Sequence, residues 1–336
     1  MVLPNGGTGG MQAQVHLVSA SLAERGYVVS VFVGGLEGNE VRDGISYIAA
    51  PAFFERRGWD FLRQLRRTVK DLSPDVVHGH GLRTGPLVAL SGGKTKRFVT
   101  CHGIDPDAVS TPLLNALRVL PVKVLSCGPG PQRILAEHGF DSSLLENAAP
   151  PAAESKSRDE FNTHFGVTDS DFVALWPARF SKQKNHVALL EFAEQLRDTP
   201  VVIVCCGDGP LRSQFDDEIA NRDLSRHIRT FDYVEHAGSW LEASDFFVLP
   251  SRWEGQPLIL IEAMRAGLPS LTWTPVGAEL LDSSLHFRGP DEAALEVRNW
   301  MSSPEARAIV PTGFDSIVKS HEIDITISRY IDLYYS

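Results

Sequence analysis

Residues 250–269 read PSRWEGQPLILIEAMRAGLP, and the rest of the chain is organised around them. Gly255 breaks the chain, and Pro257 stands where a helix would begin, because its fixed φ and missing N–H suit a first helical position. Gly267 stops that helix and Pro269 prevents its resumption. Inside it, Leu258, Ile259, Leu260, Ile261, Ala263 and Met264 are apolar all the way round, the pattern of a core helix. Glu262 is then a charge within an apolar helix, and it must find a partner. The helix N-terminus, with free N–H groups and the positive end of the dipole, opens just after Glu254 and suits a phosphate.

Two carboxylates eight positions apart, Glu254 and Glu262, frame this segment. In a helix, eight residues at about 1.5 Å each separate them by roughly 12 Å. Hydrolysis across one glycosidic bond needs roughly 5 to 9.5 Å, so the two cannot easily share one reacting carbon. They could grip the ends of a long ligand with an anionic middle, which is the shape of a nucleotide sugar. The alternative pairs Glu262 with Arg265 one turn on and leaves Glu254 solvated. Spacing alone leaves both readings open.

With 336 residues, 43% of them hydrophobic, the chain can bury two ordinary domain cores. Four cysteines, Cys101, Cys127, Cys205 and Cys206, lie in or beside apolar runs without metal-ligand spacing, as reduced core thiols of a cytoplasmic protein would. A net charge of -10 argues against nucleic acid as a partner. No apolar run approaches transmembrane length, and no signal peptide precedes the first loop. The charge is uneven. Residues 1–150 carry 15 basic against 13 acidic side chains and residues 151–336 carry 17 against 29, so the halves face different partners.

From its start the chain reads Val2, Leu3, Pro4 and NGGTGG, then an amphipathic helix from about Gln12 to Arg25 and a strand at YVVSVFV. This is the first unit of a Rossmann-like half whose opening strand is nearly absent. Strands follow at ISYIAA, DVVHGH, RFVTCHG and VKVLSCG, alternating with helical patterns, as an open parallel α/β sheet requires. The stretch AAPPAAESKS, residues 148–157, can continue neither helix nor strand and marks an interdomain linker. The pattern restarts at FVALWPARF, VVIVCCGDG, IRTFDYV, DFFVLPS and PSLTW, with helices beginning near Asn185, Leu211, His236 and Pro257. A last helix runs from about Ser328 to Tyr335. The expected domains are 1–150, 151–318 and a C-terminal helix in 319–336 that packs back on the first domain.

The segment 250–269 resembles the E-x7-E signature of glycosyltransferase family 4, and ARFSKQKN resembles that family's G-R-L-x3-K-G element. CGDGPLR, SDFFVLPS, PDVVHGHG, TCHG and the opening GG loop fit in order, so the resemblance covers nearly the whole length. Departures are local: Asn185 stands where Gly is usual after the Lys, Gln256 where Phe is frequent, Asp232 where FDYV is commonly FxGY, and Ala148 where Gly is usual after Asn147.

The resemblance implies a GT-B fold, two Rossmann-like doubly wound domains facing across a cleft. It also implies a retaining transfer of a hexose from a nucleoside diphosphate sugar, on UDP or GDP, to an acceptor hydroxyl. Arg179 and Lys184 would neutralise the departing diphosphate. Glu262 would accept hydrogen bonds from ribose hydroxyls and Glu254 would lie near the hexose. Gly255, Gln256, Pro257 and Leu258 would face the phosphates or sugar, with Gly207 on the same side. In the first half, His102 would contact the donor sugar, and Gly9 and Gly10 would let the backbone approach the diphosphate. His78 and His80 flank Gly79 like metal ligands, but no third ligand has suitable spacing, so they read as structural and no metal or other cofactor is expected. A GT-B nucleotide-sugar epimerase and a non-catalytic partner subunit are the other classes compatible with this fold. The first needs no acceptor, and the second would have lost the charged site residues that are present here.

One stretch stands outside these motifs. FFERRGWDFLRQLRRTVKDL, residues 53–72, interleaves aromatic and aliphatic positions with Arg56, Arg57, Arg63, Arg66, Arg67 and Lys70. The plain reading is a helix with its apolar stripe on a sheet and its arginines solvated. The sharper one is a surface for an anionic membrane, at the inner face, or for a polyanionic acceptor.

Overall fold

The computed structural model describes residues 1–7, 9–53, 58–234, 236–273, 280 and 285–336. It divides into two compact units, one of Met1–Pro150 with His321–Ser336 and one of Pro151–Ser320.

In the first unit an eight-stranded sheet is built from β1 (Val2–Leu3), β2 (Ser30–Gly34), β3 (Glu40–Arg42), β4 (Ile45–Ala50), β5 (Val76–His80), β6 (Lys96–Cys101), β7 (Lys123–Ser126) and β8 (Ser143–Leu144). Its order is β3-β4-β2-β1-β5-β6-β7-β8. The opening strand is only two residues, yet it is central: Val2 pairs with Phe32 on one side and Gly79 on the other. All pairs are parallel except β3 with β4, so the sheet is mixed where a purely parallel one was expected. The β3 segment, EVR, is too short and polar for hydropathy to mark it.

Helix Gly58–Leu72 covers one face because Phe61, Leu65 and Val69 recur every four residues. They pack with Val2, Phe32 and Val77. The final helix starts at Ile323, five residues earlier than the sequence suggested. Its Ile327, Tyr330 and Tyr334 share one face and pack with Val18, Leu22, Phe98 and Leu125. The residues where the chain leaves and re-enters this unit are pinned together, as the Ala149 N–H donates to the His321 carbonyl at 2.8 Å. Glu146 accepts from Arg329 at 2.9 Å and lies 3.5 Å from His321, whose hydrogen bond holds the Glu146 carboxyl below its usual range.

The second unit carries β9 (Phe172–Pro177), β10 (Val201–Cys206), β11 (Ile228–Phe231), β12 (Phe246–Leu249), β13 (Ser270–Trp273) and β14 (His286–Phe287), all parallel, in the order β11-β10-β9-β12-β13-β14. Every residue of β10, VVIVCC, is buried, as a strand covered on both faces requires. The segment after His236 is a 3-10 helix, Ala237–Ala243, rather than the expected α-helix, and His236 itself adopts the left-handed conformation. Helix Leu258–Arg265 begins one residue later than its proline suggested: Pro257 is the extended N-cap, φ −75° and ψ 95°.

Each sheet reverses its direction of winding once. In the first unit the chain adds strands outward from β1 and then restarts at β5 on the other side; in the second it restarts at β12 beside β9. Crevices at such reversals, outside the carboxyl ends of the strands, are where open α/β sheets bind ligands.

Candidate functional site

In the second unit the loops that follow β9 and β12 meet at the winding reversal. They are joined by a network of polar bonds. The Arg252 N–H donates to the Gln183 carbonyl at 2.8 Å, and Asn185 Nδ2 donates to the Pro250 carbonyl at 3.0 Å. Asn185 has φ +52°, the left-handed conformation, which explains why glycine's place can be taken here by asparagine: its short polar side chain tolerates that backbone better than most.

Within this network Lys184 Nζ lies 2.6 Å from Glu254 Oε1. Ser251 Oγ donates to the same oxygen at 2.7 Å, and Gln183 Nε2 lies 3.3 Å from Oε2. Glu254 is therefore not solvated: three donors hold a side chain that is 9% exposed. Arg179 at the end of β9 is exposed and makes no ion pair among the described residues. Of the two cations expected to face a diphosphate, one is thus already paired and the other is open. Gly255, Gln256 and Pro257 are buried behind this loop, and Leu258 is half-buried. Leu258 and Ile259 are both partly exposed, so the helix is not wholly a core helix.

Glu262 was expected to need a partner. Its carboxyl makes no hydrogen bond or ion pair among the described residues, and burial pushes it up to about 7, against the opposing pull of Arg265. A near-neutral carboxyl is how the protein accommodates this group. Gly238 lies against it: a Cβ there would stand 2.1 Å from Glu262 Oε2. That contact was not legible in the sequence, since nothing local distinguishes Gly238 from other turn glycines.

Gly207 is held close to the loop after β9. Its φ is +151°, and a Cβ would lie 2.3 Å from the Ala178 carbonyl oxygen, so only glycine fits. Arg212 secures the same edge by donating to the Gly207 and Phe231 carbonyls, both at 2.8 Å.

In the first unit Gly9 caps helix Gly10–Glu24, whose N-terminus carries no side-chain cap. Gly9 and Gly10 are exposed, and nothing lies within 4 Å of a Cβ placed on Gly10. His102 follows β6, where its Nε2 lies 2.8 Å from His80 Nδ1. Among the described residues no group of three or more His, Cys, Asp or Glu side chains could hold a metal ion.

Comparison with known proteins decides the family. Residues 157–279 match the model for glycosyl transferases group 1, and residues 8–141 match that for glycosyltransferase family 4. The chain belongs to glycosyltransferase family 4. EpsF of Bacillus subtilis is 25% identical over 248 residues, 66% of this chain and 63% of that protein. The UDP-Gal:alpha-D-GlcNAc-diphosphoundecaprenol alpha-1,3-galactosyltransferase of Escherichia coli is 25% identical over 239 residues, 62% of this chain and 60% of its own length. The family member described here therefore spans about three fifths of the length of these curated relatives. Its fold is GT-B, shared with HepE of Anabaena, crystallised with UDP and glucose, at a TM-score of 0.84 and 15% identity over 100% of this chain and 98% of that one. WaaG, a glycosyltransferase involved in lipopolysaccharide biosynthesis, superposes with a TM-score of 0.79 at 14% identity over 99% of each chain.

Proposed function

We propose that this family 4 chain transfers a hexose from a nucleoside diphosphate sugar, with UDP as the carrier, to an acceptor hydroxyl with retention of anomeric configuration. The observation that carries the reading is the Lys184–Glu254 pair, with an exposed Arg179 on the same loop as Lys184, on loops from adjacent strands at the winding reversal. In the reaction the bond from the anomeric carbon to the diphosphate oxygen breaks, a bond to the acceptor oxygen forms, and the acceptor proton ends on the leaving diphosphate. Two cations and one carboxylate leave a net positive charge where that diphosphate gathers negative charge. Lys184 has donors to spare, so it can hold Glu254 and touch a phosphate oxygen at once. Glu262, once ionised, accepts hydrogen bonds from the ribose diol. No divalent metal is required, because Arg179 and Lys184 supply the cationic charge. The bound UDP of HepE and the UDP-Gal in the E. coli relative's name support the choice of carrier.

The acceptor we propose is lipid-linked and anionic, reached at a membrane surface. The E. coli relative is named for a diphosphoundecaprenol acceptor. Arg63, Arg66, Arg67 and Lys70 are exposed along helix Gly58–Leu72, and Trp59 beside them is 80% exposed, so the polar face of this helix presents cations and an interfacial aromatic. Arg56 and Arg57 lie outside the described residues. No helix among the described residues is long and apolar enough to cross a membrane.

The test is incubation with a panel of UDP- and GDP-hexoses and short-chain polyprenyl diphosphate sugars, following nucleotide release and product anomer. Acceptor-dependent release of UDP with an α-product from an α-donor supports the reading. Interconversion of the donor without acceptor would replace it with epimerisation, and binding without turnover by a non-catalytic role.

A further inference from the structure

Helices that connect parallel strands run back along the sheet, so in the first unit their C-termini gather at the N-terminal edge of the strands, the base, away from the crevice. Apolar side chains meet water there. Leu72 and Val119 end helices Gly58–Leu72 and Thr111–Val119, Leu90 caps helix Gly85–Ala89, and Val28 lies just before β2; all four are exposed, Val119 at 83% and Val28 at 100%. Single exposed apolar residues need no explanation, but their concentration at one edge marks a contact surface.

Charge on this base is divided. Below β2, Tyr27 and Tyr335, with ring centroids 6.1 Å apart, line an open groove with Asp332, and a second groove shares Tyr27 and is walled by Glu24 and Asp43. Among the described residues no Lys or Arg lines either groove, and Arg25 and Arg42 beside them are paired with Asp324 and Glu40. At the other end, below β5, β6 and β7, the exposed Lys70, Lys94, Lys96 and Lys123 stand against only Asp71 and Asp75. Phe98 and Leu125, two residues on from Lys96 and Lys123, pack with the final helix, so strand alternation puts both lysines on the side of the sheet that carries the tyrosine groove.

We propose that the base is a self-complementary interface whose occupant is a second copy of this chain. A polycation would be repelled by the lysine end and a polyanion by the acidic end; a surface with both signs in reversed order fits, and the base itself is one. The eight-strand order has β1 and β5 at its middle. A two-fold axis between them, along the sheet normal, sets β2 and β4 of one copy opposite β6 and β7 of the other and keeps each side of the sheet opposite its counterpart. Lys96 and Lys123 of each copy then lay their aliphatic stems and ammonium groups over the tyrosines of the other and reach Glu24 and Asp332. The contact leaves both crevices facing away from each other. It rests on the first unit alone and holds whatever the chain transfers.

Sedimentation velocity of the full chain over a range of concentrations is the test. The wild type forms a dimer that weakens as salt rises from about 0.1 M to 1 M, since the Debye length falls from about 10 Å to 3 Å. Two charge-reversed variants, Lys96→Glu with Lys123→Glu and Glu24→Lys with Asp332→Lys, each put like charges across the axis and each raise the dissociation constant at least about tenfold. Their equimolar mixture restores opposite charges at both symmetry-related contacts and recovers the dimer. A wild type that stays monomeric throughout, a dimer undisturbed by either variant, or no recovery in the mixture of two variants that both melt cooperatively, overturns the proposal.

Discussion

Lys184 and Glu254 stand 70 positions apart in sequence and 2.6 Å apart in space, an ion pair in which the carboxylate side is almost fully buried and the ammonium side is 21% exposed. Removing one partner leaves the other charge without its counterion. Lys184→Ala should destabilise the second unit by about 1 to 3 kcal/mol, below the roughly 3 to 5 of a fully buried pair because water reaches the lysine and Ser251 and Gln183 still donate. Adding Glu254→Gln to that variant should return most of the lost stability without restoring transfer. Denaturant melts of the single and double variants measure the coupling. A single variant as stable as wild type would mean that the pair contributes nothing to the fold.

Glu262 gives a pH signature of definite sign. Its carboxyl ionises near 4.5 in an unfolded chain but only near 7 in the folded one, so between those values the folded state holds a proton that the unfolded state has released. Stability therefore falls as pH rises through this window and levels off above it. Glu262→Gln, neutral throughout, should melt higher than wild type at about pH 8 and lose that advantage at about pH 4.5. Donor binding should move the other way: the wild type gains affinity as the carboxylate forms through about pH 7, and the variant loses that dependence. Parallel melting curves for the two proteins across the window would show that this carboxyl is not shifted by burial.

The glycines and prolines of 250–269 were enough to place a helix that opens after Glu254 and carries Glu262, because chain punctuation is a local property. The order of the motifs was enough for the GT-B fold, which the comparisons bear out. What escaped the sequence was set by long-range geometry. The loop holding Lys184 and the loop holding Glu254 meet only because β9 and β12 are neighbours. Gly238 under Glu262 depends on a 3-10 turn where an α-helix was expected, and EVR forms an edge strand only because β4 offers it a partner. Asn185 was visible as a departure from glycine, but its left-handed backbone was not.

Transfer should proceed at the same rate with chelator present. The proposed donor site supplies cationic charge from Arg179 and Lys184, which is the role a divalent metal would otherwise fill. Arg179→Ala should then slow turnover about 100-fold or more, the scale of removing one group that stabilises developing charge. The check is a rate assay with and without chelator for both proteins. A wild-type rate abolished by chelator and restored by magnesium or manganese would transfer the role of these side chains to a metal.

The basic helix gives the prediction most separable from the donor site. Its apolar stripe, Phe61, Leu62, Leu65 and Val69, is buried, so Arg63, Arg66, Arg67 and Lys70 can be changed without opening the core. The cations are not all idle: Arg66 Nε donates to the Leu90 carbonyl at 2.7 Å, and Arg63 lies 3.5 Å from Asp60. Both contacts are exposed and contribute little to stability. Each Lys or Arg near an anionic surface contributes about 1 kcal/mol, so even three give measurable association that weakens with salt over a Debye length of about 10 Å at 0.1 M. The chain as a whole has a net charge of -10, so such association must be local and oriented. Replacing Arg63, Arg66 and Arg67 by Ser should abolish sedimentation with phosphatidylglycerol-rich vesicles and leave UDP binding unchanged. If the wild-type protein stays in the supernatant with such vesicles at low salt, the helix serves only to cover the sheet, and an acceptor free in solution becomes the better proposal.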